Sequence, residues 1–190
     1  MNQRQSSLPG MRESQMISSE GMREQLLCRE LCYIQHHLSY GPMRTGKSLL
    51  RKILRSSKGR CFVEMPFWCT YGNGITVGEN FRASHHLTIL DAAQVTFGDH
   101  VSIGPNCRFD TAGYPQHAGG YAFASPITVG NWVRIGSGVT VLPGISIGDG
   151  TVVSAGSVVT SDLPTGVLAA GNPCRVIRFL TEGERQQWKS

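Results

Sequence analysis

The chain has 190 residues, 40% apolar and 16% charged, with a formal net charge of +5, which is ordinary for one soluble globular unit and argues against two independent enzymes. No apolar run approaches the ~20 residues of a membrane helix, and the polar start MNQRQSSLPGMRESQ lacks the apolar core of a secretory leader. The basic residues are dispersed without interleaved aromatics, so the expectation is a cytoplasmic protein that binds neither nucleic acid nor membrane and favours a small anionic ligand.

Residues 1–17, rich in Ser, Gln and Arg around Pro9-Gly10, read as a disordered tail. Residues 18–60 read as a helical segment. Its first helix runs from Ser19 to His37 with Met22, Leu26 or Leu27, Leu31 and Ile34 on one stripe, and a second helix covers Ser48–Leu54. Between them Gly41–Ser48 spells GPMRTGKS, letter for letter a phosphate-binding loop. That loop works only behind a buried strand, and the preceding LCYIQHHLSY is helical in pattern, so it reads as a helix-helix turn.

Cys28, Cys32 and His36 stand at i, i+4 and i+8, a ligand-like spacing. With no fourth ligand nearby they read as the inner face of an amphipathic helix, and no metal is expected. The six cysteines, Cys28, Cys32, Cys61, Cys69, Cys107 and Cys174, have no framework spacing and are expected to be reduced. Cys61–Tyr71, with Phe62, Phe67, Trp68 and Tyr71, reads as a cap that leads the chain into a repetitive region.

From Ile127 to Thr160 an aliphatic recurs every sixth residue: Val129, Ile135, Val141, Ile147, Val153 and Val159. A period of six fits neither a helix nor a simple strand. It describes short strands joined by tight corners, coiled as a parallel β-helix. Three strands per coil stack residues eighteen apart, Val129 on Ile147, Ile135 on Val153 and Val141 on Val159. The register continues upstream through Val77, Ala83, Ile89 and Phe97, Ile103, Phe109, so four coils are visible. Two extra residues interrupt it before Phe97 and fourteen before Val129, and the longer insertion, within residues 110–126, must leave the prism as an ejected loop. The β-helix is expected over 61–180, with 181–190 as a tail.

The repeats, the segment PFWCTYGNGITVGENF, the run PITVGNWVRIGSGVTVLPGISIGDGTVVSAGSVVTSDLP and the ending VLAAGNPCRVIR together resemble the maltose and galactoside O-acetyltransferases of the hexapeptide-repeat superfamily. The resemblance covers roughly residues 20–180. It implies a mainly β protein, a left-handed parallel β-helix with an N-terminal helical segment. It also implies a homotrimer with acetyl-CoA, or another acyl-CoA, in the groove between subunits and no metal. CoA contacts carry over onto Ser137, Ala155, Thr160, Arg175 and Arg178, and onto Ser161, where the family often has Lys. Small residues would let the pantetheine lie along the coil, and guanidinium groups can fork onto phosphates. The aromatic usual at position 134 is Arg134, with Trp132 two places earlier.

The family's catalytic loop reads T-x-x-H-P or T-G-H-P. Here it is Thr111-Ala112-Gly113-Tyr114-Pro115, with Tyr114 in the place of the histidine. Tyrosine is a poor base near neutrality, though it can donate to an oxyanion. On the acceptor side Ser84 replaces an asparagine and Ala92 an acid; Thr70, Arg82, Ser84, Asp91 and Asp110 are the candidate acceptor contacts. The candidate replacements for the base are His85 and His86, of which His86 is expected to turn the corner, and His117 in the ejected loop. His100 is expected to be solvated.

The leading expectation is therefore a CoA-dependent O- or N-acyltransferase for a small hydroxylated acceptor other than a simple galactoside or maltose. Two alternatives stand beside it: a CoA-independent elimination, isomerisation or cyclisation using Tyr114 and a histidine, and a non-catalytic binding trimer.

Overall fold

The computed structural model describes residues 19–38, 50–113 and 123–186. The six-residue period becomes a three-faced prism of parallel strands. The first coil carries β1 (Ser56–Ser57), β2 (Cys61–Val63) and β3 (Phe67–Cys69), and the second carries β4 (Ile75–Val77), β5 (Phe81–Ala83) and β6 (Leu87–Leu90). The third carries β7 (Val95–Phe97), β8 (Ser102–Ile103) and β9 (Arg108–Asp110). The fourth carries β12 (Ile127–Val129), β13 (Arg134–Ile135) and β14 (Thr140–Val141), and the fifth β15 (Ser146–Ile147), β16 (Val152–Val153) and β17 (Val158–Val159). Strand β18 (Val167–Gly171) continues the second face and pairs antiparallel with β19 (Cys174–Phe179), after which a short helix, α2 (Glu182–Gln186), closes the described chain.

The stacks expected from spacing are the observed ones: Val129 on Ile147, Ile135 on Val153, Val141 on Val159, and, lower down, Val77 on Phe97 and Ala83 on Ile103. Alternate residues of the strands point inward, such as Ile75 and Val77 of β4 or Phe81 and Ala83 of β5, and these residues form a single continuous core. Within it the ring of Phe97 lies 5.1 Å from that of Phe81 and 5.0 Å from that of Phe109, in contact geometry for aromatic pairs.

The segment expected to cap the prism is itself a coil, with Ser57, Val63 and Cys69 in register with Val77, Ala83 and Ile89. There are thus five coils, starting at Ser56. The capping is done by α1 (Ser19–Leu38) and the helical turn at 50–53, which bury Cys28, Cys32, Leu50 and Ile53 in the same core. Because α1 precedes Gly41–Ser48, no strand stands where a phosphate loop needs one; that motif itself lies outside the described residues. None of the described helices is long and apolar enough to cross a membrane.

Candidate active site along two edges of the prism

Each coil turns three corners, and stacked corners make three edges. At the edge between the second and third faces, His86 N–H donates to Pro66 O, Asn106 N–H to His85 O, Gly138 N–H to Pro105 O and Gly156 N–H to Ser137 O. His85, Pro105, Ser137 and Ala155 therefore form one vertical column. The histidines expected to replace the base and the two residues expected to meet CoA share an edge, with His85 two rungs below Ser137, roughly 10 Å at ~4.8 Å per rung. Spacing alone contained this, since each follows by two residues the inward aliphatic of one face, Ala83, Ile135 and Val153. The upper part of the edge is built for close approach. A Cβ on Gly136 would sit 2.5 Å from the Ala155 nitrogen, and Ser137 and Ala155 are exposed.

His86 turns the corner, as expected, in the left-handed region at φ 60°. Both imidazoles are exposed, and the Nδ1 atoms of His85 and His86 are 2.8 Å apart, a hydrogen bond in which one ring donates and the other accepts. Two neutral rings in this contact hold complementary tautomers. The donor ring carries its proton on Nδ1 and keeps a free lone pair on Nε2; the acceptor ring carries its proton on Nε2. His85 is further held by its backbone N–H to Glu64 Oε2 at 3.3 Å.

The edge between the third and first faces holds the ejected loop. Thr111 is fully buried, donates to Leu90 O at 2.7 Å and accepts the Ala93 N–H at 2.9 Å. Strands β10 (Ala112–Gly113) and β11 (Phe123–Ala124) then leave the prism as an antiparallel pair. Asp110 takes Arg108 Nη2 at 2.9 Å and the Ala112 N–H at 3.2 Å, so it braces the foot of this loop. Tyr114 and His117 fall outside the described residues.

Asp91, expected to contact the acceptor, is instead 3% exposed. Its Oδ1 accepts the N–H groups of Thr70 and Tyr71 and its Oδ2 that of Gly74. Burial pushes its carboxyl up against these hydrogen bonds, and its role is to hold the first coil's return bend, including Thr70. Thr160 and Ser161 lie exposed at the top of this same edge.

Arg82 and Ser84 belong to the second face. They line a cavity of about 630 Å³ that also meets Arg51, Arg60 and Asn80; neither His85 nor His86 is among its lining residues. Arg175 and Arg178 project from β19, with Arg175 donating to Cys174 O at 2.8 Å. Arg178 forks onto Glu184 at 2.6 and 2.9 Å, and this hydrogen bonding holds the Glu184 carboxyl low, at about 2. Its fork is therefore already occupied by a carboxylate rather than open to a phosphate.

Two arrangements have no signature in the sequence. His100 is half-buried, not solvated: its ring stacks on Trp132 at 3.8 Å and 5°. The partner of Cys28 and Cys32 is Cys69, not His36. Its sulfur lies 3.2 Å from Cys28 Sγ and 3.8 Å from Cys32 Sγ. Hydrogen bonds from the other two thiols pull Cys32 down, while the same contacts and burial hold Cys28 and Cys69 up.

Comparison with known proteins agrees with this architecture. Residues 126–161 match the family described as "Hexapeptide repeat of succinyl-transferase". The chain is 39% identical to the galactoside O-acetyltransferase of Escherichia coli K12, over 89% of its own length and 86% of that protein's. It superposes on a galactoside acetyltransferase in complex with coenzyme A with a TM-score of 0.83 at 37% identity, covering 89% of this chain and 86% of that one. On a maltose O-acetyltransferase from Clostridium difficile 630 the score is 0.79, also at 37% identity, over 85% and 88%. The coil is accordingly the left-handed β-helix of these enzymes, and the chain belongs to the hexapeptide-repeat acyltransferase superfamily, alongside the galactoside and maltose O-acetyltransferases.

Proposed function

We propose that the protein is an acyl-CoA-dependent O- or N-acyltransferase for a small hydroxylated acceptor other than a simple galactoside or maltose, and that it works as a homotrimer. The observation that carries this reading is the shared column of His85, Ser137 and Ala155 on one edge. An acyl-CoA lying along the small residues would present its thioester toward the imidazole pair below. The coenzyme A bound to the related galactoside acetyltransferase supports the choice of co-substrate.

In this reading the Nε2 lone pair of the donor imidazole takes the acceptor's hydroxyl proton as the oxygen attacks the thioester carbonyl. The resulting imidazolium keeps its Nδ1–H on the neighbouring ring, as a third group orients the base in other nucleophilic sites. When the tetrahedral intermediate collapses, the thiolate leaves and recovers the proton from Nε2. Binding both reactants on one rigid edge contributes by proximity.

A second chain is needed because the ejected loop and Thr160 stand on a different edge from the histidines. Large apolar side chains left exposed on α1 (Met22, Leu26, Tyr33, Ile34), on Trp68 and on β19 (Ile177, Phe179) supply surface for that association. Light scattering should give three times the 20.7 kDa chain mass.

The test is thiol release from acetyl-CoA over a panel of polyols, glycosides and amino sugars. Turnover with some acceptor is expected, and the His85→Gln/His86→Gln protein should lose about 10²–10⁴-fold in kcat with its melting temperature kept. Absence of CoA binding at millimolar ligand, or full turnover by the double variant, refutes the proposal.

A further inference from the structure

Among the described residues, three side chains of potential chemistry converge where the proposed reaction has no use for them. Cys28 and Cys32 stand one turn apart on α1, and Cys69 takes the inward position at the end of β3. Their sulfurs all lie within 4.8 Å of one another, with edges of 3.2 Å (Cys28 to Cys69) and 3.8 Å (Cys32 to Cys69). The three residues are 3%, 1% and 6% exposed, beneath a helix and inside the core that Leu50 and Ile53 complete.

We infer that this triangle is a binding site for a soft d¹⁰ cation, with Cu(I) as the ion it suits. Metal-to-thiolate bonds of about 2.3 Å in a trigonal plane put sulfurs about 4.0 Å apart, by √3 times the bond length. The two edges at Cys69, 3.2 and 3.8 Å, fall short of that spacing by 0.8 and 0.2 Å, and the third is within 4.8 Å, so an ion at the centre asks for movements under an ångström. A disulfide, at ~2.05 Å, asks for more and leaves one thiol over.

Coordination number separates the candidate ions. Zn(II) in a structural site takes four ligands almost always. Here the acids and histidines of the described residues add none to the three sulfurs: His36 is not part of the cluster, and the Asp91 oxygens are occupied by three backbone N–H groups. Thiolates in apolar surroundings with an incomplete shell favour a soft monovalent ion. Binding is an exchange without redox change, in which the ligating thiols release their protons to solvent and Cu(I) takes their place. The ion would clamp α1 onto the first coil, which is otherwise joined there by the Gln25–Tyr71 and Glu24–Asn73 hydrogen bonds at 2.8 and 3.3 Å.

The test uses the reduced full-length protein without oxygen, titrated with Cu(I) supplied as its coloured bicinchoninate complex. One equivalent should transfer, X-ray absorption should show sulfur alone in the shell at about 2.2–2.3 Å, and at a hundredfold excess over Kd the melting temperature should rise by about 5–10 °C. Cys28→Ser/Cys69→Ser should abolish transfer, while Cys61→Ser and Cys107→Ser should not. Should the double variant fail to fold, differential alkylation of the wild type in denaturant that opens the metal-free core decides: Cu(I) should slow labelling of Cys28, Cys32 and Cys69 and leave the other three cysteines unchanged. Substoichiometric transfer, nitrogen or oxygen in the shell, protection elsewhere, or tighter retention of Zn(II) than of Cu(I) overturns the site. These readouts are independent of acyl transfer.

Discussion

The lower and upper coils turn the same corners with different residues. In the upper coils the left-handed corner positions are glycines: Gly138, Gly144, Gly150, Gly156 and Gly166 at φ 63–80°. In the lower coils, and at the start of the fourth, the equivalent positions hold Asn80, His86, His100, Asn106 and Trp132 at φ 52–60°. Glycine reaches this region freely and asparagine is tolerated there, whereas an imidazole or indole carries a strain of about 1–3 kcal/mol that the surroundings must hold in place. Three rings are held in this way, and each has a partner ring: His86 with His85, and His100 with Trp132. The upper coils are thus a scaffold whose edges admit close approach, and the lower coils place side-chain chemistry on those edges.

The largest effect should come from removing what makes the lower coils rigid. Phe97 is 1% exposed, with its ring between those of Phe81 and Phe109. Phe97→Ala should cost about 3–5 kcal/mol in denaturant unfolding, a large share of the 5–15 kcal/mol typical of a domain. A loss under about 1 kcal/mol would mean that the aromatic stack does not carry this region.

In the upper coils the sensitive point is space rather than filling. A methyl at Gly136 meets the Ala155 nitrogen, a backbone atom that can move only if the whole corner moves. Gly136→Ala should therefore destabilise by about 1–3 kcal/mol and raise KM for acyl-CoA more than it changes kcat. An unaltered KM in a folded variant would detach this edge from the co-substrate.

This contrast also explains what is legible in the sequence. The upper coils announce themselves because every stack is aliphatic and every interval is six. The first coil is hidden by Ser57 and Cys69 at inward positions, and by its longer third turn, so it reads as a cap. His85 and His86 stand out as adjacent imidazoles, but their common edge with Ser137 and Ala155 emerges only when each is assigned to a corner, which the two-residue offset from Ala83, Ile135 and Val153 allows. Asp91 misleads because a corner acid looks the same whether it faces solvent or the backbone behind it. Cys69 lies 41 residues from Cys28, a distance across which no local pattern operates.

Asp91 gives a pH test at the lower end of the prism. Burial raises its folded pKa above the ordinary 3.8, so over the interval between the two values the folded state holds more proton than the unfolded one. The slope of stability against pH then carries a negative contribution: the unfavourable burial of charge sets in as pH rises through the raised pKa, and is absent below the unfolded value. Melting curves from pH 3.5 upward should show this falling contribution in the wild type and lose it in Asp91→Asn. Parallel curves for the two proteins would show that the bend holds a carboxylate without penalty.

The smallest effect on stability, and the sharpest on the comparison, is expected for His86→Gly, which gives a lower corner the residue of an upper one. Relief of left-handed strain favours the variant by about 1–2 kcal/mol. Against this stand about 0.5–1 kcal/mol of extra chain freedom in the unfolded state and about 0.5 kcal/mol for an exposed imidazole hydrogen bond. The terms nearly cancel, so unfolding should shift by no more than about 0.5 kcal/mol in either direction. The remaining His85 loses the ring that fixes its tautomer, and kcat should fall by at least tenfold while KM for acyl-CoA stays within about twofold. His100→Gly is the matching control: it relieves the same strain at a corner on another edge, away from the imidazole pair, and should leave kcat unchanged. If both variants lowered kcat alike, the strained corners would serve the prism's shape and not the chemistry of one edge.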